Sequence, residues 1–123
     1  MSFKIEGLDE LTDIFDKASN NFESEAEKKL NAITVKAIRG VKLRTPVGKV
    51  NGGTLRRSWQ SKSKKLERIV FNNVHYAPYV EYGHRTRGGK SFVEGRYMLT
   101  KTIEEISKDV DNEFSMLIEN LFE

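Results

Sequence analysis

An α+β fold is predicted by three features of the chain. Two long stretches, about 22–44 and 96–121, carry apolar residues at helical spacing. Between them lie two short stretches, about 55–60 and 66–74, rich in aromatic and β-branched residues. A glycine- and cation-rich stretch, Gly83–Gly95, then leads into the last helix. The architecture expected is a long N-terminal helix and a long C-terminal helix packed on a small antiparallel sheet, with an extended basic loop. The 123 residues fit a single domain spanning 1–123.

Each element has its own warrant. Residues 8–17 read as a short helix, with Leu8, Leu11, Ile14 and Phe15 on one face and Asp9, Glu10 and Asp13 in the first turns. In 22–44, Phe22, Ala26, Leu30, Ile33, Ala37 and Val41 form one apolar stripe. Glu23, Glu25 and Glu27 open that helix, and Lys36, Arg39, Lys42 and Arg44 close it, which matches the helix dipole. Pro46 stops it, and Thr45 before the proline is pushed out of the helical region. Residues 47–54 read as a loop by composition. Leu55–Gln60 and Leu66–Val74 read as a hairpin joined by Ser61–Lys65, with Trp59 as a buried anchor. Tyr76, Tyr79 and Tyr82 read as a packed aromatic knob, with Pro78 limiting where a helical turn begins. The Gly83–Gly95 stretch reads as a mobile arm. Leu99, Ile103, Ile106, Val110, Phe114, Leu117 and Leu121 then mark a last helix about 38 Å long.

Composition excludes several classes. Cysteine is absent, which removes disulfides, thiolate nucleophiles and cysteine zinc sites. No apolar run approaches the length of a membrane span, and the first residues lack the apolar core of a secretory signal. The net charge of +3 hides an uneven distribution: Lys28–Leu66 holds twelve basic residues and no carboxylate. An acidic, basic, acidic order suits nucleic acid, and it equally suits copies packing acidic face to basic face.

Chemical motifs fare poorly. Gly89-Lys90-Ser91 lacks the upstream glycine of a phosphate loop, because His84 occupies that position. His75, Glu81 and His84 match no common zinc spacing. Ser58, Ser61 and Ser63 lie in a stretch without carboxylates, so no nucleophile finds a base and an orienting group. No catalytic, metal or cofactor site is expected. A basic, sequence-blind contact to nucleic-acid phosphates through Arg56, Arg57, Lys64 and Lys65 is the competing reading.

Three segments in order carry a resemblance. Thr45-Pro46-Val47, followed after a glycine loop by Thr54-Leu55-Arg56-Arg57-Ser58-Trp59, resembles a "TPV…G.LR.S" signature. Tyr76-Ala77-Pro78-Tyr79-Val80-Glu81-Tyr82-Gly83 resembles "YA.YVE(F/Y)G", and Gly95-Arg96-Tyr97-Met98-Leu99 resembles the entry to a last helix. Together they are similar to the small tail-component proteins of tailed phages and prophages, which act at the head–tail junction as neck or tail-completion (terminator) subunits. The resemblance implies a non-enzymatic virion protein, made in the bacterial host cytoplasm. It would form a homo-oligomeric ring, commonly a hexamer, between connector and tail tube. It implies no cofactor, membrane or small-molecule substrate, and a passing contact with DNA in the lumen. The interface expected is Leu55, Arg56, Arg57 and Trp59 on the hairpin, Tyr76, Tyr79, Glu81 and Tyr82 on the knob, and Arg85, Arg87, Lys90, Phe92 and Arg96 on the arm. A heterologous contact that closes makes such a ring.

Overall fold

The computed structural model describes residues 1–5, 22–48 and 52–121. The helix expected at 8–17 and part of the 47–54 loop lie outside them. The elements run β1 (Ser2–Ile5), α1 (Phe22–Arg44), α2 (Thr54–Arg57), β2 (Trp59–Lys64), β3 (Glu67–Asn72), α3 (Ala77–Tyr82), β4 (Gly83–Arg85), β5 (Phe92–Glu94) and α4 (Met98–Leu121). The two long helices pack on one another and on a three-stranded antiparallel sheet of order β1-β3-β2. A separate two-stranded hairpin, β4-β5, stands beside them.

The long helices follow the sequence closely. Every residue of the α1 stripe from Phe22 to Val41 is buried. On α4, Leu99, Ile106, Phe114 and Leu117 are buried, and Ile103 and Val110 pack partly against the same core. Gly40 of α1 lies close against α4: a Cβ there would lie 3.1 Å from Thr102 Cγ2.

Charge closes the helix pair. Lys29 meets Glu113 at 2.7 Å, Lys36 meets Asp109, and Arg44 meets Glu105 while donating to Thr102 Oγ1 at 3.0 Å. Three basic residues of α1 and three acidic residues of α4 therefore pair within one protomer. Part of the uneven charge is thus resolved inside the protomer rather than between copies. The antiparallel crossing brings together groups far apart in sequence.

Up to and within the three-stranded sheet, local structure departs from expectation in three places. Residues 54–57 are helical, not extended, and the strand begins at Trp59. Gly53, at φ 90, starts that turn. Leu55 and Trp59 are four apart, a spacing that fits both a strand face and a helix face. Ser61–Lys64, read as a loop, instead completes β2 as an edge strand, with five of its six residues exposed. Lysine on an open edge discourages further strand pairing. The third departure is β1, a four-residue strand that pairs Phe3 with Val70 and Ile5 with Arg68.

A two-residue turn, Lys65-Leu66, joins β2 to β3. Leu66 adopts a left-handed φ of 54, uncommon for a branched residue. Two contacts hold it there: its side chain is buried, and its N–H donates to Glu27. Arg68, buried behind the turn, donates to Glu27, to Asn31 Oδ1, and to the Lys64 and Glu67 carbonyls. Burial pushes the Glu27 carboxyl up, but the bonds from Arg68 and Leu66 and the charges of Arg68 and Lys65 outweigh it, so its pKa falls below the usual carboxylate value.

Candidate assembly surface

The first signature folds into an internal clamp. Thr45, just past the end of α1, is buried. Its hydroxyl accepts from the Trp59 indole N–H at 2.8 Å, and its carbonyl accepts from Arg56 Nη2 at 2.7 Å. Asn72 of β3 donates to the Leu55 carbonyl at 2.9 Å and accepts from the Val74 N–H at 3.0 Å. Arg56 thus satisfies a carbonyl left open at a helix end, and Asn72 ties α2 to the sheet. Leu55 and Trp59, expected at an interface, are buried in the core of their own protomer. Of the first signature, Val47 and Arg57 stand in solvent.

The second signature splits between inside and outside. On α3, Ala77 and Glu81 are four apart and face inward, while Tyr79 and Tyr82 are three apart and face outward. Tyr79 and Tyr82 remain 58% and 59% exposed, and only Tyr76 packs partly against the core. The knob is therefore an outward face, not a packed cluster.

Glu81 is 0% exposed, so it too leaves the expected interface. Its carboxylate accepts from the N–H groups of Leu99 (2.8 Å) and Thr100 (2.9 Å) and from the Thr100 hydroxyl (2.6 Å). These amides belong to the first turn of α4, whose donors have no partner within the helix. A carboxylate from another helix supplies the cap there, which the dipole also favours. Sequence reasoning missed this role. The available signal was the Ala77–Glu81 spacing, which puts Glu81 on the buried face of a short helix.

The Gly83–Gly95 stretch is not an irregular mobile arm. Gly83 pairs with Glu94, His84 with Val93 and Arg85 with Phe92. The base is fixed by Arg96 N–H to the Val80 carbonyl (2.8 Å) and Tyr97 N–H to the Glu81 carbonyl (3.1 Å). Two glycines make this crossing feasible. A Cβ on Gly95 would lie 2.3 Å from the Glu81 carbonyl oxygen, and one on Gly83 would lie 2.5 Å from that of Val93. Composition suggested a free arm because glycines were counted as flexibility; here they permit close backbone packing.

Around this base the surface is aromatic and cationic. Phe92 and Val93 are 62% and 45% exposed; Phe92 pairs with Arg85 and Val93 with His84, so they stand on opposite faces of the hairpin. Tyr79 meets the His84 ring edge-on, with centroids 6.5 Å apart. A hollow of about 420 Å³ lies among Tyr76, Tyr79, Val80, His84 and Arg85. A neighbouring one of about 410 Å³ shares Tyr76 and Val80 and reaches Val47, Leu55 and Arg96. Val47, Val93 and His84 were not anticipated as part of this surface. Both histidines are exposed, and no group of three metal-ligating side chains occurs among the described residues.

The fold and this surface define a small α+β domain whose motif carboxylate is spent on internal bonds and whose motif aromatics face outward. Residues 9–83, more than half of the chain, match the family described as "Bacteriophage HK97-gp10, putative tail-component", and the chain belongs to that family. The match ends at Gly83, so most of the hairpin and all of α4 lie beyond it. No curated protein and no solved structure gives a significant match. Among the described residues, no helix is long and apolar enough to cross a membrane.

Proposed function

We propose that the protein is a non-enzymatic structural subunit of a phage or prophage virion, forming a ring, commonly six-fold, at the head–tail junction and joining the connector to the tail tube. Family membership supports the tail-component class. The observation that carries the assembly reading is the exposure of Tyr79 and Tyr82 on α3 and of Phe92 and Val93 on the hairpin that follows it, on a backbone locked at its base. Exposed aromatics with arginine at the margin are the composition of a protein contact. A three-residue, two-stranded hairpin is marginal alone in water and gains from a covering partner.

In this reading a neighbouring copy covers Tyr79, Tyr82, Phe92 and Val93, with Arg57 and Arg96 at the rim and Tyr76 lining the adjoining hollows. The contact is heterologous, so repetition closes a ring. Carboxylates elsewhere serve structure: Glu81 caps α4, Glu27 holds the β2–β3 turn, and Glu105, Asp109 and Glu113 pair with α1. Native mass spectrometry of the full chain, alone and mixed with connector and tail-tube proteins, tests it. A closed oligomer, alone or with a partner, is expected; monomer under every condition overturns the reading.

The competing reading placed a nucleic-acid surface within 28–66. Lys29, Lys36, Arg44 and Lys65 of that segment each pair with a carboxylate of the same chain, and Arg56 is turned to a backbone carbonyl. What remains open there is narrower than the sequence implied.

A further inference from the structure

Pairing within the protomer leaves a distinct cationic feature elsewhere. Arg85, Arg87 and Lys90 are exposed and make no pair with a carboxylate among the described residues. No acidic residue occurs between Arg85 and Val93. The three surround the turn that joins β4 to β5. That turn is internally bonded: Thr86 N–H donates to the Ser91 carbonyl and Gly89 N–H to the Thr86 carbonyl, both at 2.8 Å, and the Thr86 and Ser91 hydroxyls meet at 3.0 Å. Gly88 and Gly89 hold φ of 91 and 73, and a Cβ on either would meet nothing within 4 Å. The tip is an ordered turn standing clear of the protein body.

We propose that this tip is a sequence-blind contact to the phosphate backbone of double-stranded DNA. Arg85, Arg87 and Lys90 meet phosphate oxygens, and the side-chain-free glycines let the turn approach the duplex closely. Three features favour DNA over an acidic protein. The turn from Thr86 to Ser91 carries no apolar side chain, so it offers none of the apolar core that a protein contact needs. Its cations are not neutralised by nearby carboxylates. A two-stranded ribbon also fits the DNA major groove, about 12 Å wide. The turn from Thr86 to Ser91 lies beyond the β4–β5 pairs, so a contact by Arg87 and Lys90 does not depend on ring formation, whereas Arg85 pairs with Phe92 beside the aromatic base.

The test measures binding of a fluorescent 30-base-pair duplex across a salt series, with native mass spectrometry of the same samples. AT-rich and GC-rich duplexes are expected to bind equally. Each phosphate contact adds about 0.9 to the salt slope, so R87A/K90A, keeping one contact of three, should show about one third of the wild-type slope. Arg87 and Lys90, expected at the interface from sequence, lie outside the contact proposed between copies, so the oligomeric state should match wild type. The inference is overturned if R87A/K90A keeps the wild-type slope, if wild type binds no duplex at low salt, or if a poly-glutamate peptide binds the tip in preference to DNA. A monomer that still binds DNA through the tip removes the ring and leaves this inference standing.

Discussion

The Thr45–Arg56–Trp59–Asn72 clamp and the β4–β5 hairpin are built from similar residues and put them to opposite use. Both draw on arginine, threonine, an aromatic residue and nearby glycine. In the clamp, Arg56 and Trp59 both donate to Thr45, and Asn72 bridges α2 and β3. In the hairpin, Arg85 and Arg87 find no carboxylate among the described residues, and Phe92 lies mostly in solvent. What separates them is what lies within reach of the guanidinium: the Thr45 carbonyl for Arg56, and no carboxylate among the described residues for Arg85 and Arg87. An arginine within reach of an open helical carbonyl becomes part of the fold, and one on a projecting ribbon is left for a partner.

Substitutions that break the clamp or the hairpin base should dominate stability. Trp59→Ala empties a buried site and removes the donor to Thr45, and should cost about 4 kcal/mol in urea unfolding. Glu81→Ala leaves two amides and a hydroxyl at the start of α4 without their acceptor, and should cost about 3 kcal/mol. Glu81→Gln, which keeps one acceptor oxygen, should recover part of that loss. If Glu81→Ala unfolds like wild type, the cap has no structural role.

A gentler probe is pH. Glu27 titrates below its ordinary value in the folded state, so its contribution is present above the ordinary carboxylate value and is lost as pH falls through the lowered one. Thermal unfolding should therefore show an acid-side loss that Glu27→Gln reduces. Lys36 is raised, by its bond to Asp109 above all, so its smaller contribution is present below the ordinary lysine value and fades as pH rises through the raised one. The smallest stability effect belongs to the aromatic face. Tyr79→Ser with Phe92→Ser should change protomer stability by no more than about 0.5 kcal/mol while abolishing the oligomer. A variant that still forms the wild-type oligomer would place the contact elsewhere on the molecule.

Legibility followed the range of the interactions. The Phe22–Val41 stripe and the α4 stripe were readable because helical period depends only on neighbours along the chain. Arg68 on the same strand face as Val70 and Asn72 was readable for the same reason. That the arginine is buried was not, because its partners Glu27 and Asn31 come from another element. Within the expected interface, Leu55, Trp59 and Glu81 proved internal, whereas Tyr79, Tyr82 and Phe92 are exposed. Their side-chain types alone carried no distinction between the two fates.

The chain's own pattern therefore determined two amphipathic helices, a strand with one buried face, and a cation-rich link with no carboxylate at its tip. Tertiary contact decided that β1 joins the sheet, that three cations of α1 pair with three carboxylates of α4, and that Glu81 turns inward to cap a distant helix. Periodicity is a property of neighbouring residues and survives in one dimension. The partner of a charge or an open amide is whatever the folded chain brings within about 3 Å, and that is settled only when distant elements meet.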